Sequence, residues 1–203
     1  MLYFDFDGTL VDVWQRYYHI FKDASRISGM TFEDYVRLKK ELPQDEDLAR
    51  CFGAALPADY REKKRSFLED PRYLACDRLL VPKDRICEFF RSHSCRILTS
   101  RRSPEAFFDQ LRALGLEQLR EKCVVLNPDE KKTKTQYLRE NHPNEAVYLV
   151  GDAEAEAQAS QLDNVRVYLV RTGLRNPETL PGAQKCVIID HVSDFMNAFK
   201  ESV

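Results

Sequence analysis

The sequence predicts an α/β fold: a Rossmann-like, three-layer arrangement in which a parallel sheet lies between helices, with an α-helical cap inserted near the start. Three observations carry that reading. Short runs rich in Val, Ile and Leu recur from about residue 83 onward, each nearly continuously apolar, as strands covered on both faces require. Helical patterns with their own start and stop residues separate these runs, which is the alternation of a parallel β–α sheet. The stretch from about residue 12 to residue 80 holds no convincing strand and reads as helices placed between the first strand and the rest. The expected division is a core of residues 1–11 and 81–203 and a helical cap of residues 12–80.

Taken in chain order, Leu2-Tyr3-Phe4 forms an apolar strand that ends in acids. The inserted segment breaks at Gly29, Pro43, Gly53 to Pro57 and Pro71, leaving helices over Trp14 to Phe21, from an N-cap at Thr31, and over Tyr60 to Leu68. Trp14, Tyr17, Tyr18 and Phe21 form an aromatic stripe at helical spacing, which packing inside the cap explains better than stacking on a substrate. Pro82 precedes a helix that turns Ile86, Phe89 and Phe90 toward the sheet, and Cys95 to Thr99 is the next strand. Ser103-Pro104-Glu105 supplies an N-cap, a proline at the first helical position and an early acid, and Gly115 ends that helix. Further strands are expected at Cys123 to Leu126, Ala146 to Val150, Val165 to Val170 and Cys186 to Ile189, followed by a short helix carrying Phe195 and Phe199.

Composition limits the function classes. The chain has 203 residues, 43% hydrophobic and 32% charged, long enough to bury a substantial core and unlike a disordered or fibrous sequence. A net charge of −2 gives no global field that would collect polyanions, so neither nucleic acid nor an anionic membrane is an expected partner. Acids interrupt the first apolar run too early for a secretory signal, and no later stretch approaches the ~20 apolar residues of a membrane span. A soluble, cytoplasmic protein is expected. Cys51, Cys76, Cys87, Cys95, Cys123 and Cys186 are scattered without a CxxC or Cys/His cluster, so buried, reduced thiols are expected in place of a zinc knuckle or redox pair. There is no GxGxxG and no Walker lysine motif, and His19, His93, His142 and His191 sit in unrelated contexts.

The strongest chemical signal is Asp5-Phe6-Asp7-Gly8-Thr9-Leu10 at the end of the first strand. It places two carboxylates at the carboxyl edge of a parallel sheet, where α/β folds put their ligands. Gly8 permits a tight turn and close approach of backbone N–H groups to an anion. Two adjacent carboxylates repel unless a cation or a shared proton compensates.

Three further segments fall in a telling order: Ile97-Leu98-Thr99-Ser100, Lys131-Lys132-Thr133-Lys134 before a helical pattern, and Val150-Gly151-Asp152-Ala153-Glu154-Ala155-Glu156 after a strand. With Asp5 to Asp12, this ordered set resembles the four signatures of the haloacid dehalogenase superfamily, most of whose members are magnesium-dependent phosphatases acting through an aspartyl-phosphate. Glu156 stands where the family pattern ends in Asp. The resemblance spans Leu2 to about Val170 and implies a sheet order of 5-4-1-2-3 with the first strand central. It implies Asp5 as nucleophile, Asp7 as acid and base, Thr99 and Lys134 as catalytic partners, with Lys131 and Lys132 as rival lysines. Gly8, Thr9, Ser100 and Arg101 are candidates for phosphate contact. Asp5, the backbone carbonyl of Asp7, Asp152 and Glu156 are candidates for holding Mg2+, with Glu156 orienting water or pairing with a lysine.

Elementary chemistry suits these roles. An attacking carboxylate splits one hard displacement into two easier steps, and a hard cation with oxygen ligands lets it approach a phosphate. A neighbouring acid can protonate the departing alkoxide and then activate water. A lysine beside the nucleophile neutralises the transferring group. The expected activity is hydrolysis of a small phosphorylated metabolite under a closing cap. Dehalogenation, phosphoryl transfer to a second substrate, and a silent binding module are the alternatives; Asp7 argues against the first.

Overall fold

A computed structural model of the chain describes residues 1–130 and 132–199. Six parallel strands make the main sheet: β1 (Leu2–Phe4), β4 (Cys95–Ser100), β5 (Cys123–Leu126), β6 (Val147–Gly151), β7 (Val165–Val170) and β8 (Val187–Ile189). Their spatial order is β5-β4-β1-β6-β7-β8. The five-strand order expected from the sequence is extended by one strand, because β8 adds outside β7, pairing Leu169 with Ile188. β1 is central, with Phe4 opposite Ile97 on one side and Val150 on the other.

Successive side chains of β1 point to opposite layers, as strand geometry dictates. Leu2 and Phe4 pack among Ile86 and Phe90 of α6 (Lys83–Ser92), Phe107 and Leu111 of α7 (Pro104–Ala113), and Phe195 of α10 (Val192–Ala198). Tyr3 faces the other way, into Leu98, Leu149, Leu138 of α8 (Lys134–Asn141) and Ala157 of α9 (Glu154–Ala159). This two-sided burial is why the strands read as continuous apolar runs. The α7 start follows its sequence signal, with the Ser103 hydroxyl accepting from Ala106 N at 3.1 Å and Gly115 taking a left-handed turn at φ 73°.

Between β1 and α6 lie five helices: α1 (Trp14–Ser25), α2 (Phe32–Glu41), α3 (Asp45–Cys51), α4 (Tyr60–Phe67) and α5 (Pro71–Leu74). They have their own apolar centre, in which Trp14, Tyr18, Phe21, Tyr35, Leu48 and Tyr60 are buried together. Three of the four stripe aromatics are therefore core. Pro71, expected to break a helix, starts one: it occupies the first position of α5, where its missing N–H is no loss, and Asp70 caps it.

The segment expected to lack strands carries two short ones. β2 (Val11–Asp12) and β3 (Arg78–Leu79) pair antiparallel, Val11 with Leu79, and tie together the two junctions of the inserted segment. Two-residue strands leave no alternation for the sequence to display. The cysteines also depart from expectation. None of the six forms a disulfide, but only Cys95 is buried, whereas Cys51 is exposed and the other four are half-buried. Among the described residues, no helix is long and apolar enough to cross a membrane.

Candidate active site

The carboxyl ends of β1, β4 and β6 bring the signature residues to one place. Asp5 follows β1 directly, and its backbone N–H donates to Val150 O at 2.8 Å, which fixes it beside β6. Asp152 follows β6 in the same way, and Glu156 sits one helical turn further on in α9. All three acids are buried, and one carboxylate oxygen from each lies within 4.8 Å of the others.

Lys134 completes the group. It is the first residue of α8, behind a Thr133 N-cap, and its Nζ contacts Asp5 Oδ1 and Glu156 Oε1, each at 2.5 Å. A lysine at a helix start opposes the helix dipole, and two carboxylates compensate for that here. Of its rivals, Lys132 is half exposed and pairs with Glu140 at 2.6 Å, and Lys131 lies outside the described residues. Glu156 meets the lysine with one oxygen and caps its own helix with the other, accepting from Ala153 N at 3.1 Å. Its longer side chain has room because residue 151 is glycine; a Cβ there would stand 2.0 Å from Glu156 Cγ.

Glycines also shape the bed of Asp152. A Cβ at Gly8 would come within 2.5 Å of Asp152 Oδ2, and one at Gly173 within 1.9 Å. Gly8 takes φ 73°, and its N–H donates to Val11 O at 2.8 Å, so that amide serves the turn and is not turned toward an anion, as the sequence reading supposed. Its carbonyl accepts from the Thr172 hydroxyl at 2.6 Å.

Burial pushes the Asp5 carboxyl up to about 7 against the pull of Lys134, and lifts Asp152 well above the usual carboxylate range, with Asp5 and Glu156 adding repulsion. Three buried acids facing one lysine leave an excess of negative charge. An oxygen-only donor set with that excess suits a hard divalent cation and not a thiolate-seeking metal.

Asp7 lies apart from this cluster. Its Oδ2 meets Arg16 at 2.9 Å and its Oδ1 meets Arg101 at 2.5 Å. Burial works against the Asp7 carboxylate, but the two guanidinium groups outweigh it and hold its pKa below the usual range. Arg16 is fully buried on α1 and also approaches Asp77 Oδ2 at 3.4 Å. Arg101 is engaged with Asp7 and with Gln110 Oε1 at 3.0 Å, so its placement is that of a holder of Asp7. Gln110 Nε2 closes the circuit by donating to Asp77 Oδ2 at 2.5 Å.

Thr99 is buried near the end of β4, two residues past the Ile97 that pairs with Phe4, and Ser100 after it is exposed. Thr9 is fully buried in the turn, and among the described residues its hydroxyl has no hydrogen-bond partner. A cavity of about 590 Å3 opens over Asp5, Asp7 and Asp152 and is otherwise lined mainly by the inserted helices, with Tyr17 of the aromatic stripe on its wall. Arg16, Asp77 and Gln110 are the site residues that sequence reasoning missed. Arg16 carried a signal: it falls on the face of α1 shared with Ile20 and Ala24, where a charge demands a buried partner.

Comparisons with known proteins agree with this fold. Residues 2–170 match the family model described as haloacid dehalogenase-like hydrolase. No curated protein matches the chain. Among solved structures, a haloacid dehalogenase-like hydrolase from Streptococcus pneumoniae superposes with a TM-score of 0.69 at 17% identity, covering 98% of this chain and 97% of the other. A predicted phosphatase from Clostridium acetobutylicum gives 0.66 at 16% identity, covering 97% and 95%. A family hydrolase from Deinococcus radiodurans, solved with bound phosphate and sodium, gives 0.65 at 12% identity, covering 96% and 92%.

Proposed function

Because the chain belongs to the haloacid dehalogenase-like hydrolase family, we propose that it is a magnesium-dependent phosphatase that hydrolyses a small phosphate monoester through an aspartyl-phosphate on Asp5. The observation that carries the reading is the buried Asp5, Asp152 and Glu156 cluster with Lys134 bridging two of its members. Asp5, Asp152 and the Asp7 carbonyl would hold Mg2+, which supplies charge compensation between a carboxylate nucleophile and a phosphate dianion. The glycines at residues 8 and 173 leave the space that Asp152 occupies.

In the first step an Asp5 carboxylate oxygen bonds to phosphorus and the ester P–O bond breaks, releasing the alcohol oxygen. Lys134 offsets the charge on Asp5, and Thr99 would donate its hydroxyl to a phosphoryl oxygen. In the second step water attacks phosphorus, the P–O bond to Asp5 breaks, and Asp7 takes the proton that water loses. Arg16 and Arg101 keep Asp7 ionised, which suits it as that base. The departing alkoxide takes its proton from water in the cavity, and the hydroxide left behind takes the proton from Asp7 after the second step, which returns Asp7 to its ionised state. The inserted helices act as a cap that encloses the ester and limits access of bulk water.

Purified protein is expected to release phosphate from 4-nitrophenyl phosphate with added Mg2+ and to stop when the metal is chelated. Absence of phosphate release together with halide release from a 2-haloacid would replace this reading with a dehalogenase.

The metal also has a stability signature. Asp5 and Asp152 have raised pKa values in the metal-free fold, so the stability they contribute is complete below about pH 4, the ordinary carboxylate value, and is lost as pH rises through those raised values, about 7 for Asp5. Mg2+ requires the ionised acids and restores what is lost. At a hundredfold excess over its Kd the gain is about 2.7 kcal/mol, or roughly 5–10 °C for a domain of this size. Thermal melts should show that shift at pH 8 and a much smaller one at pH 5.5; equal shifts at both would place the metal elsewhere.

A further inference from the structure

The cavity wall contributed by the inserted helices differs in charge from its acidic floor. Lys39 of α2 and Lys64 of α4 converge on a single carboxylate, Asp45: Lys39 Nζ lies 2.5 Å from Oδ1, and Lys64 pairs with Oδ2. Tyr60 adds a hydroxyl donor to Oδ2 at 2.7 Å. Beside them Arg65 and Arg102 share Asp129, at 3.6 and 3.3 Å. Each group is two cations on one acid, and Lys39, Lys64, Arg65 and Arg102 all line the cavity.

The two lysines are not equivalent. Lys39 is buried, and its Nζ also donates to Pro43 O at 2.8 Å, so it serves the packing of α2 against α3. Lys64 keeps 28% of its side chain exposed, and among the described residues its Nζ has Asp45 as its one recorded partner. Arg102 engages Asp129 through Nε and keeps 30% of its side chain exposed. A fold needs only one cation to neutralise Asp45 and one to neutralise Asp129. Asp45 is buried, so its second cation is excess positive charge in a partly enclosed space, a standing cost that an anionic ligand relieves, and the more exposed Arg102 adds a further cation to the same cavity.

We propose that this wall recognises a second anionic group on the substrate, a carboxylate or a second phosphate, with Lys64 and Arg102 as the contacting side chains. The assignment rests on the phosphatase reading above and adds to it the charge class of the leaving group. The cavity, at about 590 Å3, is of the size that takes a small metabolite.

Three esters on one carbon skeleton test this: 3-(phosphonooxy)propanoate, propane-1,3-diyl bisphosphate and propyl phosphate. The native protein with Mg2+ should favour one or both anionic esters over propyl phosphate by about tenfold or more in kcat/KM, mainly through KM, since charge-assisted hydrogen bonds discriminate at that level. The ranking of the carboxylate against the bisphosphate tells which anion the wall fits. Lys64→Gln and Arg102→Gln should each reduce the preference by about tenfold, and Lys64→Arg should retain it. Hydrolysis of all three esters with no preference overturns this proposal alone and leaves the phosphatase reading standing. A preference unchanged in both glutamine variants overturns the assignment to these residues. No hydrolysis of any phosphate ester, 4-nitrophenyl phosphate included, rejects the phosphatase reading and the proposal with it. The comparison of esters in the native protein needs no variant to fold, and Arg102 lies outside the apolar centre of the inserted helices.

Discussion

Asp5→Asn is expected to reduce phosphate release by at least about 10^4-fold while raising the melting temperature of the metal-free protein at pH 8. The first effect follows from removing the nucleophile, since an amide cannot form the acyl-phosphate and what remains is whatever the rest of the site provides. The second follows from the electrostatics of the cluster. Burial pushes the Asp5 carboxyl up to about 7, so at pH 8 the folded state holds an ionised group that it would hold more comfortably protonated. Asparagine removes that charge, keeps nearly the same shape, and leaves Lys134 its contact with Glu156 at 2.5 Å. The stability gain should fade toward pH 5, where the native carboxyl is itself protonated. Steady-state release of phosphate and melting curves at the two pH values check both effects on one preparation. Turnover within tenfold of the native rate would remove Asp5 from the mechanism, and a lower melting temperature at pH 8 would mean that the Lys134 pair outweighs the repulsion from Asp152 and Glu156. Opposed effects on activity and stability mark a group kept for its chemistry at the expense of the fold.

How far the sequence speaks depends on where each residue sits. Asp5, Asp152 and Lys134 stand at strand ends or a helix start, so a local pattern of apolar run and punctuation was enough to place them at one sheet edge. Glu156 could be placed on the same edge, but its division between Lys134 and the Ala153 amide could not, because it depends on the space over Gly151. Gly173 carries no signal at all in one sequence; its meaning appears only when Asp152 is seen lying against it. The same limit hid the ribbon of Val11–Asp12 and Arg78–Leu79, whose partners lie 68 and 66 residues apart in sequence and are two residues long. β8 was legible as an apolar run, while its place outside β7 depends on pairing that no local pattern encodes. Arg101 follows a signature strand and so looks like a phosphate contact, yet its partners, Asp7, Glu69 and Gln110, come from three other segments. Local periodicity finds elements and the residues at their ends; it does not find circuits closed by three distant pieces of chain.

That circuit leads to the second large effect, which is expected from Arg16→Met. Arg16 is fully buried and contacts Asp7 Oδ2 at 2.9 Å and Asp77 Oδ2 at 3.4 Å. Asp7 lies in the turn after β1 and Asp77 directly precedes β3, so one side chain on α1 fastens the active-site turn to the far junction of the inserted helices. Methionine fills a similar volume but leaves Asp77 without an ion pair and Asp7 with Arg101 alone. Breaking a buried pair by removing one partner costs about 3–5 kcal/mol, which for a chain of this size lowers the melting temperature by roughly 10 °C. Burial already lifts the Asp77 carboxyl to about 7 against Arg16. Its raised pKa means that Asp77 favours the fold below the ordinary carboxylate value and ceases to do so as pH rises through 7. The loss on removing Arg16 should therefore be larger at pH 8 than at pH 5.5, where Asp77 can take up a proton. Catalysis supplies an independent readout. Without Arg16 the Asp7 carboxyl rises from its depressed value, so the acidic limb of the pH–kcat profile should move to higher pH. The double variant Arg16→Met with Asp77→Asn removes the stranded charge and should recover much of the stability at pH 8 without restoring the limb, because Asp7 still lacks its second cation. Recovery of both together would mean that Arg16 acts on the reaction only by keeping the protein folded. A limb that never moves would show that Arg101 alone sets the state of Asp7.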